Sequence, residues 1–265
     1  MDPLDRIAAA LERLAPELPV AADPLAHPAY AWRAGRLTAI ATAAIPLDRL
    51  LGVDHQRDAL LANLTRLAQG FAAHDVLLWG ARGTGKSALA KSAVAAVQAA
   101  HPALALVVAA ELAGLPGLFG RLADVPRPVA VFVDDVGVDA GHDARALRSL
   151  LEGGAEPRPA NVRLLVTANR RHLQPRDMRE QADAINPRDS ADDQLALADR
   201  FGLSLGFHAL DQAGYLAIVA GYADAHGLDV DPAEAIEWAA RRGSRSGRVA
   251  WQFVVEAAGR AGRSL

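Results

Sequence analysis

The segment that most constrains the fold is a short apolar run followed at once by a glycine-rich loop and a helical stretch. Val76–Trp79 is the apolar run, and residues 80–87 read Gly-Ala-Arg-Gly-Thr-Gly-Lys-Ser, a complete GxxxxGKS pattern. Glycines let the backbone of such a loop turn its N–H groups inward, and the following helix adds its positive N-terminal end. A strand, a loop of this kind and a helix together predict a phosphate-binding unit of a nucleotide-binding α/β fold.

The pattern also predicts roles within the loop. Lys86 is expected to reach the β- and γ-phosphates of ATP, and the Ser87 hydroxyl is expected to bind Mg²⁺. Only two of the 28 basic residues are lysines, Lys86 and Lys91, which indicates a specific use for an ammonium group here. The predicted nucleotide-binding residues are Gly80, Ala81, Arg82, Gly83, Thr84, Gly85, Lys86, Ser87 and Ala88.

Five short apolar runs, separated by helical stretches, indicate a parallel sheet. Apolar runs without alternation are what a sheet covered on both faces requires. After Asp211 the strands stop and three helical stretches follow, over 211–226, 231–242 and 247–261. The predicted strands are Val76–Trp79, Leu104–Ala109, Val129–Val133, Val162–Thr167 and Leu203–Phe207.

The chain is expected to divide into three parts. Residues 4–14 carry apolar side chains at helical spacing, and the prolines between Pro16 and Pro28 then indicate an extended connector. The three predicted parts are an N-terminal helix and connector (1–45), a nucleotide-binding α/β core (46–208) and a helical lid subdomain (209–265).

Polar residues follow the third and fourth predicted strands. Asp134 and Asp135 come directly after Val133, and a carboxylate at the tip of a buried strand is costly unless it binds a cation or a polar network. Asp134 is the candidate Mg²⁺ ligand, and Asp135 stands where a carboxylate that activates water is needed. Asn169 is the candidate amide that orients this water. Simple capping of the next turn is the plainer alternative for the two aspartates.

The order of these motifs resembles that of the AAA+ ATPases. Two arginines extend the similarity, Arg200 before the fifth strand and Arg248 at the start of the last helix. More closely, residues 46–258 resemble a bacterial AAA+ family catalogued as a domain of unknown function, DUF815. The resemblance rests on Leu51-Gly52, Asn63, the GxRGTGKS loop, Val133-Asp134-Asp135, Leu151-Glu152-Gly153-Gly154, residues 168–173 (Ala-Asn-Arg-Arg-His-Leu), residues 199–203 (Asp-Arg-Phe-Gly-Leu) and Ser246-Gly247-Arg248.

The resemblance implies a P-loop NTPase fold of AAA+ type. Its sheet would have five parallel strands in the order 5-1-4-3-2, with ATP bound between the core and a C-terminal helical lid. It further implies that Arg200 is a finger that reaches the γ-phosphate of a neighbouring copy, so that the chain works in a ring or partial ring. Arg248 would act as sensor 2, with Arg245 as a possible substitute. An ion pair between Asp199 and Arg200, and solvated arginines at the helix start, are the plainer alternatives.

The sequence leaves open the role of Asp135 and that of residues 117–120. Asp135 is one methylene shorter than the glutamate usual in AAA+ ATPases, so hydrolysis is expected to be slow or to be assisted by Glu152. Residues 117–120 (Gly-Leu-Phe-Gly) resemble a loop that threads a substrate through a pore, but Leu115, Leu118 and Leu122 also fit one face of a helix, which is the preferred interpretation.

The predicted function is Mg²⁺-dependent hydrolysis of ATP to ADP and phosphate, coupled to remodelling or loading of a macromolecular client. A nucleotide-dependent switch with little turnover and a DNA-associated ATPase of the initiator or loader type are the alternatives. Two arginine clusters are consistent with the last: residues 158–188 hold seven arginines and three acidic residues, and residues 241–265 hold six arginines and one acidic residue. A subunit interface, or contact with the nucleotide of a neighbouring copy, is an equal alternative for these arginines. Aromatic residues that would stack on single-stranded bases are not interleaved with them.

Composition excludes several other functions. The chain has no cysteine, which rules out a disulfide scaffold, a thiolate metal site and a cysteine nucleophile. Neither a leader segment nor an apolar stretch long enough for a membrane is visible, and the net charge of −3 is ordinary. The expected location is the cytoplasm.

Overall fold

Seven strands form one sheet in the computed structural model, which describes residues 21–137, 141–153, 158–169 and 199–265 together with Pro3 and Arg6. They are β1 (Ala29–Arg33), β2 (Arg36–Ala39), β3 (Val76–Gly80), β4 (Ala105–Ala109), β5 (Val129–Val133), β6 (Val162–Asn169) and β7 (Leu203–Phe207).

The sheet order is β2-β1-β4-β5-β6-β3-β7. Neighbouring strands are parallel except β1 and β2, which are antiparallel. The prediction of a five-stranded parallel sheet is therefore wrong, because the sheet has seven strands and is mixed. Within it the five strands read from the sequence lie side by side as β7-β3-β6-β5-β4.

The two additional strands form a hairpin where the sequence predicts an extended connector. A two-residue turn joins them, and both of its residues have positive φ, 49° at Ala34 and 72° at Gly35. Such a turn matches the twist of paired strands, so it closes the hairpin. Tyr30, Trp32 and Leu37 are buried, and β1 pairs with β4. The burial of these side chains fastens the hairpin to the edge of the core.

Helices cover both faces of the sheet. On one face α3 (Leu115–Leu122) and α4 (Gly141–Leu151) pack against the strands, and on the other face α1 (Asp54–Ala68) and α2 (Lys86–Ala100) do so. Successive residues of β3 face opposite sides of the sheet. Leu77 packs in the apolar cluster that includes α3 and α4, and Leu78 packs in the one that includes α1 and α2. This double burial explains the unbroken apolar runs. The helices described are α1 (Asp54–Ala68), α2 (Lys86–Ala100), α3 (Leu115–Leu122), α4 (Gly141–Leu151), α5 (Gln212–Ala225), α6 (Pro232–Arg241) and α7 (Gly247–Arg260).

The segment that resembles a pore loop belongs to the core. Leu115, Leu118, Phe119 and Leu122 of α3 are all almost fully buried. The interpretation of this segment as an amphipathic helix is therefore confirmed, and Phe119 is not presented to a substrate.

The last three helices pack into an apolar cluster of their own. Each begins at a residue whose side chain accepts a hydrogen bond from the first turn: Asp211, Asp231 and Ser246. Such caps satisfy N–H groups that have no partner within the helix. Apart from Arg6, the helix predicted over residues 4–14 lies outside the described residues. Among the helices that are described, none is long and apolar enough to cross a membrane.

Candidate functional site

The glycine-rich loop connects β3 to α2 and needs glycine for steric reasons. Gly80, Gly83 and Gly85 have φ of 140°, 77° and 93°, a region that other residues rarely adopt. At Gly80 a Cβ would stand 2.0 Å from the carbonyl oxygen of Phe207 on the neighbouring strand β7. The sheet therefore holds the start of the loop in place, while the remaining glycines let it curve around the first turn of α2.

Lys86 begins α2 and points back into the loop. Its side-chain Nζ donates to the carbonyl oxygens of Gly80 (2.9 Å) and Ala81 (2.7 Å) and to Oδ1 of Asn169 (3.2 Å). Burial lowers the pKa of Lys86 from its ordinary value, and the nearby carboxylates of Asp135 and Asp134 oppose this lowering. The three protons of the ammonium group are thus shared among neutral oxygens, next to the curved loop.

Three oxygen-bearing side chains meet beside the loop. The Ser87 hydroxyl donates to Oδ1 of Asp134 at 2.6 Å, and the Thr167 hydroxyl donates to the same oxygen at 2.6 Å. Hydroxyl and carboxylate oxygens are the ligands that Mg²⁺ prefers, and Mg²⁺ usually takes few protein ligands beside phosphate oxygens. Ser87 and Asp134, the two metal ligands expected from the sequence, therefore lie together and suit this ion.

Asp135 adopts an unusual backbone conformation. Its φ is 53°, in the left-handed region. Its N–H donates to the Thr167 hydroxyl at 2.7 Å, and its Oδ1 accepts a hydrogen bond from Nδ2 of Asn169. The guanidinium of Arg82 lies 4.0 Å from its other carboxylate oxygen. Asn169 thus touches both Lys86 and Asp135, so the residues after β5 and β6 form one network with the loop.

The N-terminus of α7 lies directly against the loop. A Cβ on Gly83 would stand 2.8 Å from the hydroxyl of Ser246, and one on Gly247 would stand 3.5 Å from the carbonyl oxygen of Gly83. Arg248 follows and lines a cleft of about 760 Å³ together with Lys86, Ser87, Asp134, Asp135 and Asn169. Arg245 lines a different cavity, although Arg82 lines both. Of the two arginines considered for sensor 2, the cleft includes Arg248.

The same cleft also has apolar and aromatic lining residues, which the sequence reasoning missed. Ile45, Leu50, Tyr222 and Trp251 line it, and the rings of Tyr222 and Trp251 meet edge to face with centroids 5.3 Å apart. The spacing of three residues between Arg248 and Trp251 was the available signal, since it puts both on one helix face.

Arg200 lies near the amino ends of the strands, whereas the glycine-rich loop lies at their carboxyl ends. It precedes β7, whose first residue Leu203 pairs with Val76, whereas the loop follows the other end of β3. Its Nε and Nη2 lie 2.7 Å and 2.6 Å from Oε1 of Glu152. Glu152 does not line the cleft, so the expectation that it assists Asp135 is wrong. Glu152 directly follows the last residue of α4, Leu151, and this helix leads the chain away from the loop.

Arginines of the two basic clusters have partners within the chain. Arg158 pairs with Asp75, and Arg163 donates to the carbonyl of Ala73 at 2.6 Å. The other arginines of the first cluster lie outside the described residues: Arg170, Arg171, Arg176, Arg179 and Arg188. In the second cluster four arginines have internal partners: Arg241 with Glu237, Arg260 with Glu234, Arg242 over the Trp238 ring and Arg263 with the Gly227 carbonyl.

Solved structures with a similar fold include two AAA+ proteins. One is the RuvB Holliday junction branch migration motor of Thermotoga maritima, at 18% identity and a TM-score of 0.51 over 79% of this chain and 62% of that one. The other is the ORC1 protein of Aeropyrum pernix in complex with DNA, at 15% identity and a TM-score of 0.54 over 82% and 65%. This chain thus spans less than two thirds of either. The similarity shows the α/β AAA+ P-loop NTPase fold.

Among curated proteins, none matches the chain. A family profile does match, over residues 25–261, and its description is "Protein of unknown function (DUF815)". The match includes the hairpin of β1 and β2 and reaches the end of α7, so it spans the sheet, the loop and the C-terminal helices. By this match the chain belongs to the DUF815 family, and its fold is that of the AAA+ ATPases.

Proposed function

We propose that this chain is a magnesium-dependent ATPase that hydrolyses ATP to ADP and phosphate and uses the reaction to remodel or load a macromolecular client. One observation carries the proposal. A single cleft joins the glycine-rich loop, the buried cation of Lys86, the Ser87–Asp134 pair and the Asp135–Asn169 pair. Each of these groups has a use in phosphoryl transfer, where catalysis is mainly positioning and charge stabilisation.

The binding roles follow from the chemistry of the side chains. Residues 80–88 would surround the phosphates with N–H groups, and Lys86 would exchange one of its present acceptors for a phosphate oxygen. Ser87 and Asp134 would hold Mg²⁺, which neutralises charge that develops on the phosphate oxygens. The apolar lining that includes Leu50 and Tyr222 suits the adenine ring of ATP, since ligand sites combine apolar walls with few polar groups.

The catalytic roles fall to the carboxylate and amide beside the loop. Asp135 would accept a proton from the attacking water, and Asn169, which donates to Asp135, would orient that water. Arg248 would respond to the phosphates from the side of α7. The division into an N-terminal part, a core and a lid remains part of this proposal, with α5 to α7 as the lid.

Arg200 would act on a neighbouring copy. It lies near the amino ends of the strands, away from the glycine-rich loop of its own chain, so within one chain it is badly placed to reach a γ-phosphate. A ring or partial ring would bring it to the cleft of the next copy. In GTPases an arginine supplied in this way is worth about 10³–10⁵ in rate. We therefore propose that hydrolysis depends on assembly.

A switch with little turnover is the second candidate. The specific observation in its favour is that Asn169 and Arg82 already engage the two oxygens of Asp135. A water molecule must compete with these two contacts for the carboxylate before Asp135 can accept its proton. DNA binding, as in the ORC1 complex, has weaker support because four arginines of the C-terminal cluster already have partners inside the chain.

The test is phosphate release by the full chain with ATP and Mg²⁺ across a wide range of protein concentration. Turnover per chain that rises with concentration, and disappears in EDTA, supports an assembled ATPase. Binding of ATP without phosphate release at any concentration supports the switch. Absence of ATP binding contradicts both. Adding duplex DNA tests the third possibility, because stimulation by DNA should fall steeply with salt.

A further inference from the structure

Thr167 is hydrogen-bonded to the acidic turn after β5 through both its side chain and its backbone. It lies on β6, is only 1% exposed, and has no role in the function proposed above. Its hydroxyl donates to Oδ1 of Asp134 and accepts from the N–H of Asp135. Its backbone carbonyl accepts from the N–H of Val136 at 2.8 Å. One residue therefore touches three successive residues of the neighbouring turn.

The hydroxyl contacts fix both aspartates in different ways. A threonine hydroxyl has one proton to donate and lone pairs to accept. Here the proton goes to Asp134, and the acceptor side receives the backbone of Asp135. Neither contact could be reversed, because a carboxylate only accepts and an N–H only donates. The orientation of the hydroxyl is thus fully determined.

On Asp134, the contact sets the rotation of the carboxylate. Ser87 on α2 and Thr167 on β6 both donate to Oδ1. Two donors on one oxygen hold the carboxylate plane and direct Oδ2 away from them. Partners of this kind orient a metal ligand without touching the metal.

On Asp135, the contact supports a backbone conformation that aspartate seldom adopts. A φ of 53° persists only where the surroundings impose it, and the N–H bond to Thr167 is part of those surroundings. That conformation places the carboxylate against the amide of Asn169. A change at Thr167 should therefore move the base as well as the metal ligand.

We propose that Thr167 is a positioning residue that sets the Mg²⁺ ligand and the catalytic base together. Its hydroxyl couples the two aspartates, so that metal binding and proton acceptance share one support. The inference rests on the proposed function, since it assumes that Asp134 holds Mg²⁺.

The test compares Thr167→Val, which keeps the shape and removes the hydroxyl, with Thr167→Ser, which keeps the hydroxyl. Binding of a non-hydrolysable ATP analogue is measured by calorimetry in Mg²⁺ and in EDTA, on the full chain. The valine variant should lose about 10- to 100-fold of the affinity gained from Mg²⁺ and should keep the affinity in EDTA. The serine variant should behave like the unchanged chain. Should the valine variant fail to fold, Thr167→Ala carries the same expectations.

Additivity gives a second readout. In an Asp134→Asn background, removal of the Thr167 hydroxyl should cause little further loss of Mg²⁺ dependence, because the two residues act as one unit. Full additivity, or a valine variant that matches the serine variant in Mg²⁺ dependence, overturns the inference. A chain that binds no ATP analogue at all, with or without Mg²⁺, overturns the proposed function instead.

Discussion

Lys86→Met is the most informative single change, because the chain supplies its own control. The only other lysine, Lys91, lies on the same helix, with its ammonium 5.5 Å from the centre of the Phe132 ring. In both cases methionine replaces the aliphatic stem of the side chain and removes the ammonium group. Lys86→Met should abolish most nucleotide binding, whereas Lys91→Met should leave it unchanged.

The magnitude follows from the three acceptors of the ammonium group. Asn169 is the most distant of them, at 3.2 Å, so it is the acceptor most easily exchanged for a phosphate oxygen. A hydrogen bond to a charged group contributes about 1.5–3 kcal/mol, so the loss upon substitution should be about 2–3 kcal/mol. This corresponds to a dissociation constant roughly 30- to 150-fold higher.

Folding stability should respond quite differently. Loss of the three hydrogen bonds is offset by removal of a cation whose burial is costly. The free energy of unfolding should therefore change by no more than about 1 kcal/mol. Calorimetric titration with ATP and urea unfolding measure the two quantities. Equal affinity in the two methionine variants would refute the assignment of Lys86 to the phosphates.

Three further predictions concern catalysis and pH. Asp135→Asn should keep Mg²⁺-dependent ATP binding and lower phosphate release by about 10²–10⁴-fold, and normal release would reject Asp135 as the base. Arg200→Ala should keep ATP binding and abolish the rise of turnover with concentration, whereas Arg241→Ala, which removes another arginine paired with a glutamate, should not. Because the pKa of Lys86 is lowered, its charge costs stability at every pH below that pKa, and the cost is relieved as pH rises from there towards the ordinary value of 10.5. The unfolding free energy should therefore rise with pH relative to Lys86→Met, and identical pH profiles would exclude this.

The sequence contains enough local information to predict the loop and the five core strands. GxxxxGKS is a local pattern, and strands buried on both faces are unbroken apolar runs, so neither requires knowledge of distant residues. The placement of Asn169 near Lys86 also follows, because the carboxyl ends of neighbouring parallel strands meet at one edge. Helix starts at Asp211, Asp231 and Ser246 are visible for the same reason, since a cap acts within one turn.

What could not be predicted depends on pairing between distant segments. The strands of the β1–β2 hairpin are only five and four residues long, and prolines just before them indicate a connector, so its burial against β4 decides the outcome. Thr167 looks like any buried β-branched strand residue until the register of β5 and β6 brings it to the aspartates. The pairing of Glu152 with Arg200 joins residues 48 positions apart, and no local pattern reports it.

The close approach of Gly83 to Ser246 has a mechanical consequence. Only the small Ser246 side chain lies between the loop and the start of α7, because Gly83 has no side chain, so a change in the shape of the loop at Gly83 should press on that helix. Because α7 shares one apolar cluster with α5 and α6, a displacement of α7 at this point should move the three helices together. We therefore expect that ligand binding in the loop changes the position of these three helices relative to the sheet.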